Sequence, residues 1–370
     1  MILRTINISI FLIASLFLYQ KADQGHYYNW DAIPYVMAVH ISDGKSIQDA
    51  HELTYKSLNE EVGEGLFQDL CCLRGYRNDQ YTNPENLNSM LQMYALKPGY
   101  IITIKAFKNI FGLSEYQSMK YISIYSILIL SFLFFLAFFK AGRITQFAWI
   151  PLIAIADLIF LSKLMTPDAI TTLIFSIGLF ALIKNKLILS FMILGFSMLF
   201  RPDMIVVVGL LGLIPALDKK YYFAAINSFI FLALYFLITS GSGHMGWWGH
   251  FYTSLIAQQS NLIDFNPEFN FNQYITIVIA NLEWVLKDTN YIKWFGMNLV
   301  LLFVGVFLAV KKYNKFLNVV LTILCLSVFI KFALFPKVDA RVYLAILSPA
   351  CFMAFLNLIQ DNHLLITEKK

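Results

Sequence analysis

Ionisable side chains are scarce in this sequence, and several of them stand beside long apolar runs. Asp31 follows an aromatic stretch, Asp168 follows a proline, Lys97 and Arg201 each precede a proline, and Arg341 precedes the last apolar run. A charge inside a bilayer costs about 2.5–3.5 kcal/mol, so charges kept near the ends of such runs are functional candidates. A carboxylate can act as a general base, and lysine and arginine can stabilise a departing phosphate. These residue types suit attack by an acceptor group on an anionic, lipid-linked donor.

The composition predicts a membrane protein. Of the 370 residues, 58% are hydrophobic and 14% are charged, whereas soluble domains have about 45–50% apolar and 25% charged residues. The formal charge of +5 is too small and too scattered to indicate a nucleic-acid partner. We therefore expect one membrane domain, 1–370, in contact with the lipid bilayer.

The apolar runs divide the chain into ten predicted transmembrane helices, so the expected fold class is all-α and polytopic. The first run lacks the small-residue cleavage pattern of a signal peptide, which favours an uncleaved anchor. The predicted spans are 3–19, 118–139, 144–162, 169–183, 187–200, 204–217, 221–239, 292–310, 316–335 and 342–359.

Basic residues in the short connections predict the orientation, because lysine and arginine prefer the cytoplasmic side. If both termini are cytoplasmic, every cytoplasmic connection is basic. The residues concerned are Lys140, Arg143, Lys184, Lys186, Lys219, Lys220, Lys311, Lys312, Lys315, Lys369 and Lys370. This orientation predicts a multi-pass protein of the cell inner membrane. The candidate residues then share the periplasmic side, together with Asp203, Lys337 and Asp339.

Two long connections, 20–117 and 240–291, are expected on the outer side and carry helix signals. Asn83 is a predicted helix cap followed by Pro84, and apolar residues then recur at helical spacing. A similar spacing begins at Ile275. Both connections are therefore predicted to contain interfacial helices.

Several short motifs recur in a fixed order along the chain. They are Asp31, Lys97-Pro98-Gly99-Tyr100, Phe111-Gly112-Leu113-Ser114-Glu115, Thr166-Pro167-Asp168, Arg201-Pro202 and Arg341-x-Tyr343. In their order, spacing and shared side, these motifs resemble the GT-C superfamily of membrane glycosyltransferases. The similarity is greatest to the lipid A aminoarabinose transferases and the protein O-mannosyltransferases.

The resemblance implies a polyprenyl-phosphate sugar donor, inversion at the sugar carbon and Asp31 as the catalytic base. It also implies that Lys97, Arg201 and Arg341 surround the phosphate. Asp168 and Tyr343 complete the expected substrate-binding set. The acceptor is a glycan, a lipid or a protein.

Ala32 stands where the family usually has a second acid, which argues against a metal site on adjacent carboxylates. No cofactor or metal ligand is therefore predicted, although participation of a divalent cation stays open. Two alternative functions also remain: a polysaccharide polymerase or ligase of the O-antigen or capsule type, and a lipid flippase or transporter.

Individual residues have structural alternatives as well. Asp31 could simply cap a helix, and Arg201 could be paired with Asp203 or Asp157. Lys97 and Arg341 could extend their charged ends to the membrane interface. The stretch 241–250 contains two histidines without a clear third metal ligand, so an aromatic loop bordering the acceptor or the lipid is expected there.

Overall fold

The computed structural model describes residues 2–25, 27–139, 141–142, 144–310 and 315–367. This part of the chain is all-helical, as predicted, and has only one isolated β-bridge, between Tyr27 and Leu164. The bridge joins the segment before α2 to the segment before α11. The helices of the N-terminal half are α1 Ile2–Gln24, α2 Ala32–Ser42, α3 Ile47–Val62, α4 Glu64–Cys71, α5 Gly75–Thr82, α6 Pro84–Tyr94, α7 Pro98–Phe111, α8 Glu115–Phe139, α9 Trp149–Ile155 and α10 Leu158–Lys163.

The C-terminal half begins with three short apolar helices and continues with longer ones. Its helices are α11 Asp168–Ile183, α12 Leu187–Ser197, α13 Ile205–Gly212, α14 Tyr221–Gly241, α15 Gly246–Leu255, α16 Phe271–Lys287, α17 Thr289–Val310, α18 Lys315–Leu334 and α19 Arg341–Thr367.

Six of the described helices are long and apolar enough to cross a membrane, namely α1, α8, α14, α17, α18 and α19. The other four predicted spans form shorter helices. Residues 144–162 are divided into α9 and α10 at Asp157, whose φ is 53°. The α11 helix has 16 residues and α12 has 11, lengths that fall short of the roughly 20 residues that cross a bilayer. The total of ten transmembrane helices therefore stays a prediction. Of the basic residues used for the orientation, Lys140, Arg143, Lys311, Lys312, Lys369 and Lys370 lie outside the described residues.

Two apolar cores hold the helices together. The larger core lies among the apolar helices, where α8, α11 and α19 pack on one another and α17 packs on α18. The second core lies in the first long connection, where α2 packs against α3, α6 and α7. Burial of apolar surface in these cores is the main force that fixes where the helix ends meet.

The α6 helix begins as the sequence indicates. The Asn83 side chain accepts a hydrogen bond from the Glu85 amide, and Pro84 occupies the first turn. Leu87 and Met90 are buried in the second core, so the apolar face of α6 packs against protein. Ile279 on α16 is instead 52% exposed. Location of these helices at a membrane interface stays a prediction.

A group of charges joins α2, α7 and α8. Lys105 pairs with Asp43 at 2.7 Å and Lys108 pairs with Glu115 at 2.7 Å, while His40 lies 3.7 Å from Glu115. We call these five residues the outer ion cluster. Glu115 belongs to the Phe111–Glu115 motif of the sequence, and its partners show that it connects helices. In the same region, Cys71 and Cys72 at the end of α4 form a disulfide.

Candidate functional site

The structure brings the candidate residues to one cavity of about 350 Å³, which we call the charged cavity. Its size lies within the range of about 300–1,000 Å³ that is usual for ligand sites. Helix ends and connections from distant parts of the sequence form its wall. The charged residues that line it are Asp31, Lys97, Asp168, Arg201, Asp203, Lys331, Lys337 and Arg341.

Asp31 lies immediately before α2, and both of its carboxylate oxygens are engaged. The Tyr94 hydroxyl donates to Oδ1 at 2.7 Å, and Nη2 of Arg341 lies 2.6 Å from Oδ2. Burial alone would raise the pKa of Asp31, but the charge of Arg341, the Tyr94 hydrogen bond and the charge of Lys97 lower it to about 2. Asp31 is therefore an ionised carboxylate at neutral pH.

Arg341 is the first residue of α19 and has a second acidic partner. Its Nε donates to Asp339 at 2.7 Å, in the loop just before the helix. The guanidinium is therefore held by two carboxylates, one on its own loop and one before α2. These bonds fix the start of α19 against the first outer segment.

A second charged group lies where α11 begins and α12 ends. Arg201 binds Asp203 through two hydrogen bonds, at 3.1 and 2.9 Å, and also donates to Asp168. Asp203 pairs in addition with Lys331 of α18 at 2.6 Å. Asp168 is 2% exposed and also accepts from Thr166. Two cations and two carboxylates thus neutralise one another at this wall of the cavity.

This arrangement partly matches the structural alternative for Arg201. Asp203 is its partner, as that alternative proposed, but Asp168 is a second partner that sequence spacing did not reveal. Lys331 lies near the end of the predicted span 316–335, where a charged side chain needs a partner. Lys331 forms an ion pair with Asp203, and both residues line the cavity.

Lys97 is held differently from the arginines. Its Nζ donates to the Met93 carbonyl at 3.3 Å and lies 5.2 Å from the ring centre of Tyr35 and 5.0 Å from that of Tyr94. Among the described residues it has no carboxylate within 4.0 Å. Burial and the positive charge of Arg201 lower the pKa of Lys97 to about 8.

Gly99 explains how Lys97 comes close to the Arg201 loop. The Gly99 amide donates to the Leu199 carbonyl at 3.0 Å. A Cβ at this position would lie 2.9 Å from the Phe200 ring and 3.1 Å from Leu199. A proline at this position would remove the amide donor, and any side chain would meet the neighbouring loop, so glycine suits this close approach.

Two histidines of the second long connection reach the same cavity. His244 Nε2 lies 3.1 Å from His250 Nδ1, and the Gly246 amide donates to His244 Nδ1 at 3.2 Å. Burial, together with the nearby charge of Lys97, lowers the pKa of His244 to about 4. Burial, His244 and Lys97 lower the pKa of His250 to about 3. No group of three potential metal ligands occurs within the part of the chain that the structure describes.

Tyr343 lies outside the cavity lining. Its ring is buried and stacks on Trp294 with centroids 4.3 Å apart, and its hydroxyl donates to the carbonyls of Phe335 and Lys337. It therefore supports the loop that carries Lys337. The other five candidates, Asp31, Lys97, Asp168, Arg201 and Arg341, all line the cavity.

Sequence reasoning did not select Tyr94 or His250 for the site. Tyr94 looked like one more apolar position on α6, although a tyrosine hydroxyl that becomes buried needs a partner, which here is Asp31. The stretch 241–250 was expected to border the acceptor or the lipid, but the position of the His250 ring depends on its tertiary contact with Phe335, for which the sequence holds no signal. No protein-family model, curated protein or solved structure matches the chain. Its function is therefore inferred from the chemistry of the cavity.

Proposed function

We propose that the protein is an integral membrane glycosyltransferase of the GT-C type, which transfers a sugar from a polyprenyl-phosphate donor to an acceptor. One observation carries the proposal: Asp31 shares a single cavity with five cations, next to helices of membrane-spanning character. A lipid-linked sugar combines an anionic phosphate with a long apolar chain. Cations beside apolar helices suit both parts of such a donor.

In the proposed reaction, the acceptor oxygen bonds to the anomeric carbon while the bond from that carbon to the phosphate oxygen breaks. Asp31 takes the proton of the acceptor hydroxyl, and the electron pair of the broken bond stays on the departing phosphate. The sugar passes through an oxocarbenium-like transition state and its configuration inverts. Asp168, oriented by Thr166 and Arg201, is assigned to positioning the acceptor or the sugar.

The low pKa of Asp31 bears on when this residue can act as a base. The charges of Arg341 and Lys97 both contribute to the low value. A phosphate bound beside Lys97 would offset one of these charges, and the pKa of Asp31 would then rise. The base would therefore gain proton affinity when the anionic donor is present, which couples donor binding to activation of the acceptor.

The proposal includes the location of the reaction. Basic connections support cytoplasmic termini in the inner membrane, and with ten spans the charged cavity then opens to the periplasmic side. The donor is a polyprenyl-phosphate sugar, and the acceptor is a glycan, a lipid or a protein.

The test uses the purified protein in liposomes with a panel of radiolabelled undecaprenyl-phosphate sugars and a membrane extract as acceptor. The wild-type protein should form labelled product and release undecaprenyl phosphate. Asp31→Asn should keep membrane insertion but lose at least about 100-fold in transfer, the usual contribution of a general base. Asp69→Asn is the matched control, because Asp69 is exposed on α4 and lies outside the cavity lining.

Each alternative function has its own outcome in this assay. Product formed only from diphosphate-linked oligosaccharide supports a polymerase or ligase. Movement of intact lipid between leaflets without product supports a flippase. Undiminished turnover by Asp31→Asn removes Asp31 from the mechanism.

A further inference from the structure

The charged cavity has more cations than carboxylates. Of the described residues, five cations line it but only three carboxylates do. Arg341 is paired with Asp31 and also with Asp339, which lies outside the lining, and Arg201 and Lys331 are paired with Asp168 and Asp203. The surplus consists of the two lysines that lack a carboxylate partner in the described part of the chain, Lys97 and Lys337.

Lys337 lies in the loop between α18 and α19. Its Nζ donates one long hydrogen bond, 3.5 Å, to the Ser254 carbonyl at the end of α15. A carbonyl dipole does not neutralise an ammonium, so the charge of Lys337 stays available to a ligand. The backbone of this loop is also fixed, because the Tyr343 hydroxyl donates to the Lys337 carbonyl at 3.0 Å. Lys337 is thus a positioned cation with no counter-ion among the residues that the structure describes.

The histidine pair supplies a donor of fixed direction. The Gly246 amide can only donate, so His244 Nδ1 must be an acceptor and the proton of the neutral ring is on Nε2. His244 Nε2 therefore donates to His250 Nδ1. Because Nδ1 of the neutral His250 ring is the acceptor, the N–H proton of this ring is on Nε2. His250 lines the cavity, as do Lys97, Lys337 and Asp203, and all three of these charges influence the pKa of His250. Its Nε2–H is a neutral donor in the cavity that the two surplus lysines also line.

We infer that Lys337 and the Nε2–H of His250 complete, with Lys97, an oxyanion subsite that holds the phosphate of the lipid-linked donor. The inference rests on the proposed function for the identity of the anion. Neither Lys337 nor His250 belongs to any motif through which the sequence resembles a known family.

The subsite fits the change of charge during the proposed transfer. A sugar-linked phosphodiester carries one negative charge, and the phosphate monoester that departs can carry two. Two unpaired lysines match the charge of the departing group, so they stabilise it more strongly than the bound donor. A neutral imidazole adds a hydrogen bond without adding a proton that the phosphate could take.

The test measures binding of farnesyl phosphate to the full-length protein in nanodiscs, with uncharged farnesol as the reference ligand. Intrinsic tryptophan fluorescence is a suitable signal, since Trp247 lines the cavity. Wild-type protein should bind the phosphate more tightly than the alcohol. Lys337→Gln should weaken phosphate binding about tenfold, the size expected for loss of one charge-assisted hydrogen bond, and Lys337→Arg should restore most of it.

His250 is tested with two variants of different chemistry. His250→Phe keeps a ring against Phe335 but removes the donor, so phosphate binding should fall several-fold. His250→Gln keeps an N–H donor at a similar reach and should bind better than His250→Phe. Lys56→Gln, at an exposed lysine of α3, is the control for a general loss of positive charge.

Unchanged farnesyl phosphate affinity in Lys337→Gln would overturn the subsite, as would absence of binding by the wild type. If transfer from lipid-linked sugar continues in that case, the proposed function survives. If Lys97→Gln and Lys337→Gln both weaken binding but no lipid-linked sugar is ever transferred, the subsite stands and the proposed function fails.

Discussion

Two groups of charges in this protein have similar composition but different surroundings. The outer ion cluster joins α2, α7 and α8, and both of its lysines have carboxylate partners, with side chains about one third exposed. The charged cavity also contains ion pairs, but its arginine side chains are only 12% and 22% exposed, and two of its lysines have no carboxylate partner among the described residues. The first group neutralises itself, whereas the second has excess positive charge that an anionic ligand can neutralise.

The difference shows how a structural charge can be separated from a functional one. A partly exposed ion pair such as Lys105–Asp43 contributes roughly 0–1 kcal/mol, and its role is to join helices. Burying a charge is far more costly, so a buried group with excess positive charge is stable only if a ligand or solvent compensates for it. The cavity is therefore the part of the molecule where substitutions should have the largest effects.

The largest effect is expected for Arg201→Gln. Loss of the Arg201 guanidinium leaves the carboxylate of Asp168, which is 2% exposed, without its cationic partner. Breaking a buried ion pair from one side costs about 3–5 kcal/mol. Unfolding followed in detergent should show this loss, and Arg201→Lys should recover part of it. An Arg201→Gln variant as stable as the wild type would mean that the cavity pairs are no more important than the outer ones.

A smaller effect is expected for Gly99→Ala, because the added methyl group would meet Phe200 and Leu199. Overpacking of this kind costs about 1–3 kcal/mol, and it should also displace Lys97 from the Arg201 loop. The free energy of unfolding and the affinity for farnesyl phosphate should both fall. Gly209→Ala on α13 is the matched control, since a methyl group added there would meet no described atom within 4 Å. Equal behaviour of the two variants would contradict the close approach at Gly99.

The charge of Lys97 should make anion binding depend on pH. Burial and the positive charge of Arg201 lower the pKa of Lys97, whereas the negative charges of Asp31, Asp168 and Asp203 raise it. Since the pKa is lowered to about 8, the positive charge is present below pH 8 and is lost above it. Affinity for farnesyl phosphate should fall up to about tenfold between pH 7 and 9, where the phosphate itself no longer titrates. Lys97→Gln should show a smaller change than the wild type over this range, and identical pH profiles of the two proteins would contradict the assignment.

The smallest effect is expected for Lys105→Gln in the outer ion cluster. Lys105 and Asp43 are both about 30% exposed, so their separation should cost about 1 kcal/mol or less. Transfer activity and phosphate affinity should equal those of the wild type. A strong loss of activity in this variant would show that the outer ion cluster takes part in function.

The sequence predicted the helical class and the shared position of five candidate residues. The first follows from a local property, because apolar runs of a given length form helices. The second follows from the alternation of the predicted spans, which places every second connection on the same side. Asp31, Lys97, Asp168, Arg201 and Arg341 line one cavity although they are far apart in the chain.

The pairing within the cavity could not be predicted, because it depends on which helix ends meet. The partner of Lys331, which is Asp203, becomes clear only when α18 packs against α13. Tyr343 was grouped with the substrate-binding residues through a motif, but its ring is turned toward Trp294 in the core. His250 reaches the cavity through the packing of α15, which no periodic pattern in the sequence encodes.

The most direct test of the charged cavity as an anion site is an experimental structure of the protein with bound farnesyl phosphate. We expect the phosphate to lie within hydrogen-bonding distance of Lys97, Lys337 and His250 Nε2, with the Asp168–Arg201 pair intact beside it. A phosphate bound elsewhere on the protein, with the charged cavity unoccupied, would contradict the central claim that the unpaired cations of this cavity bind the anionic substrate.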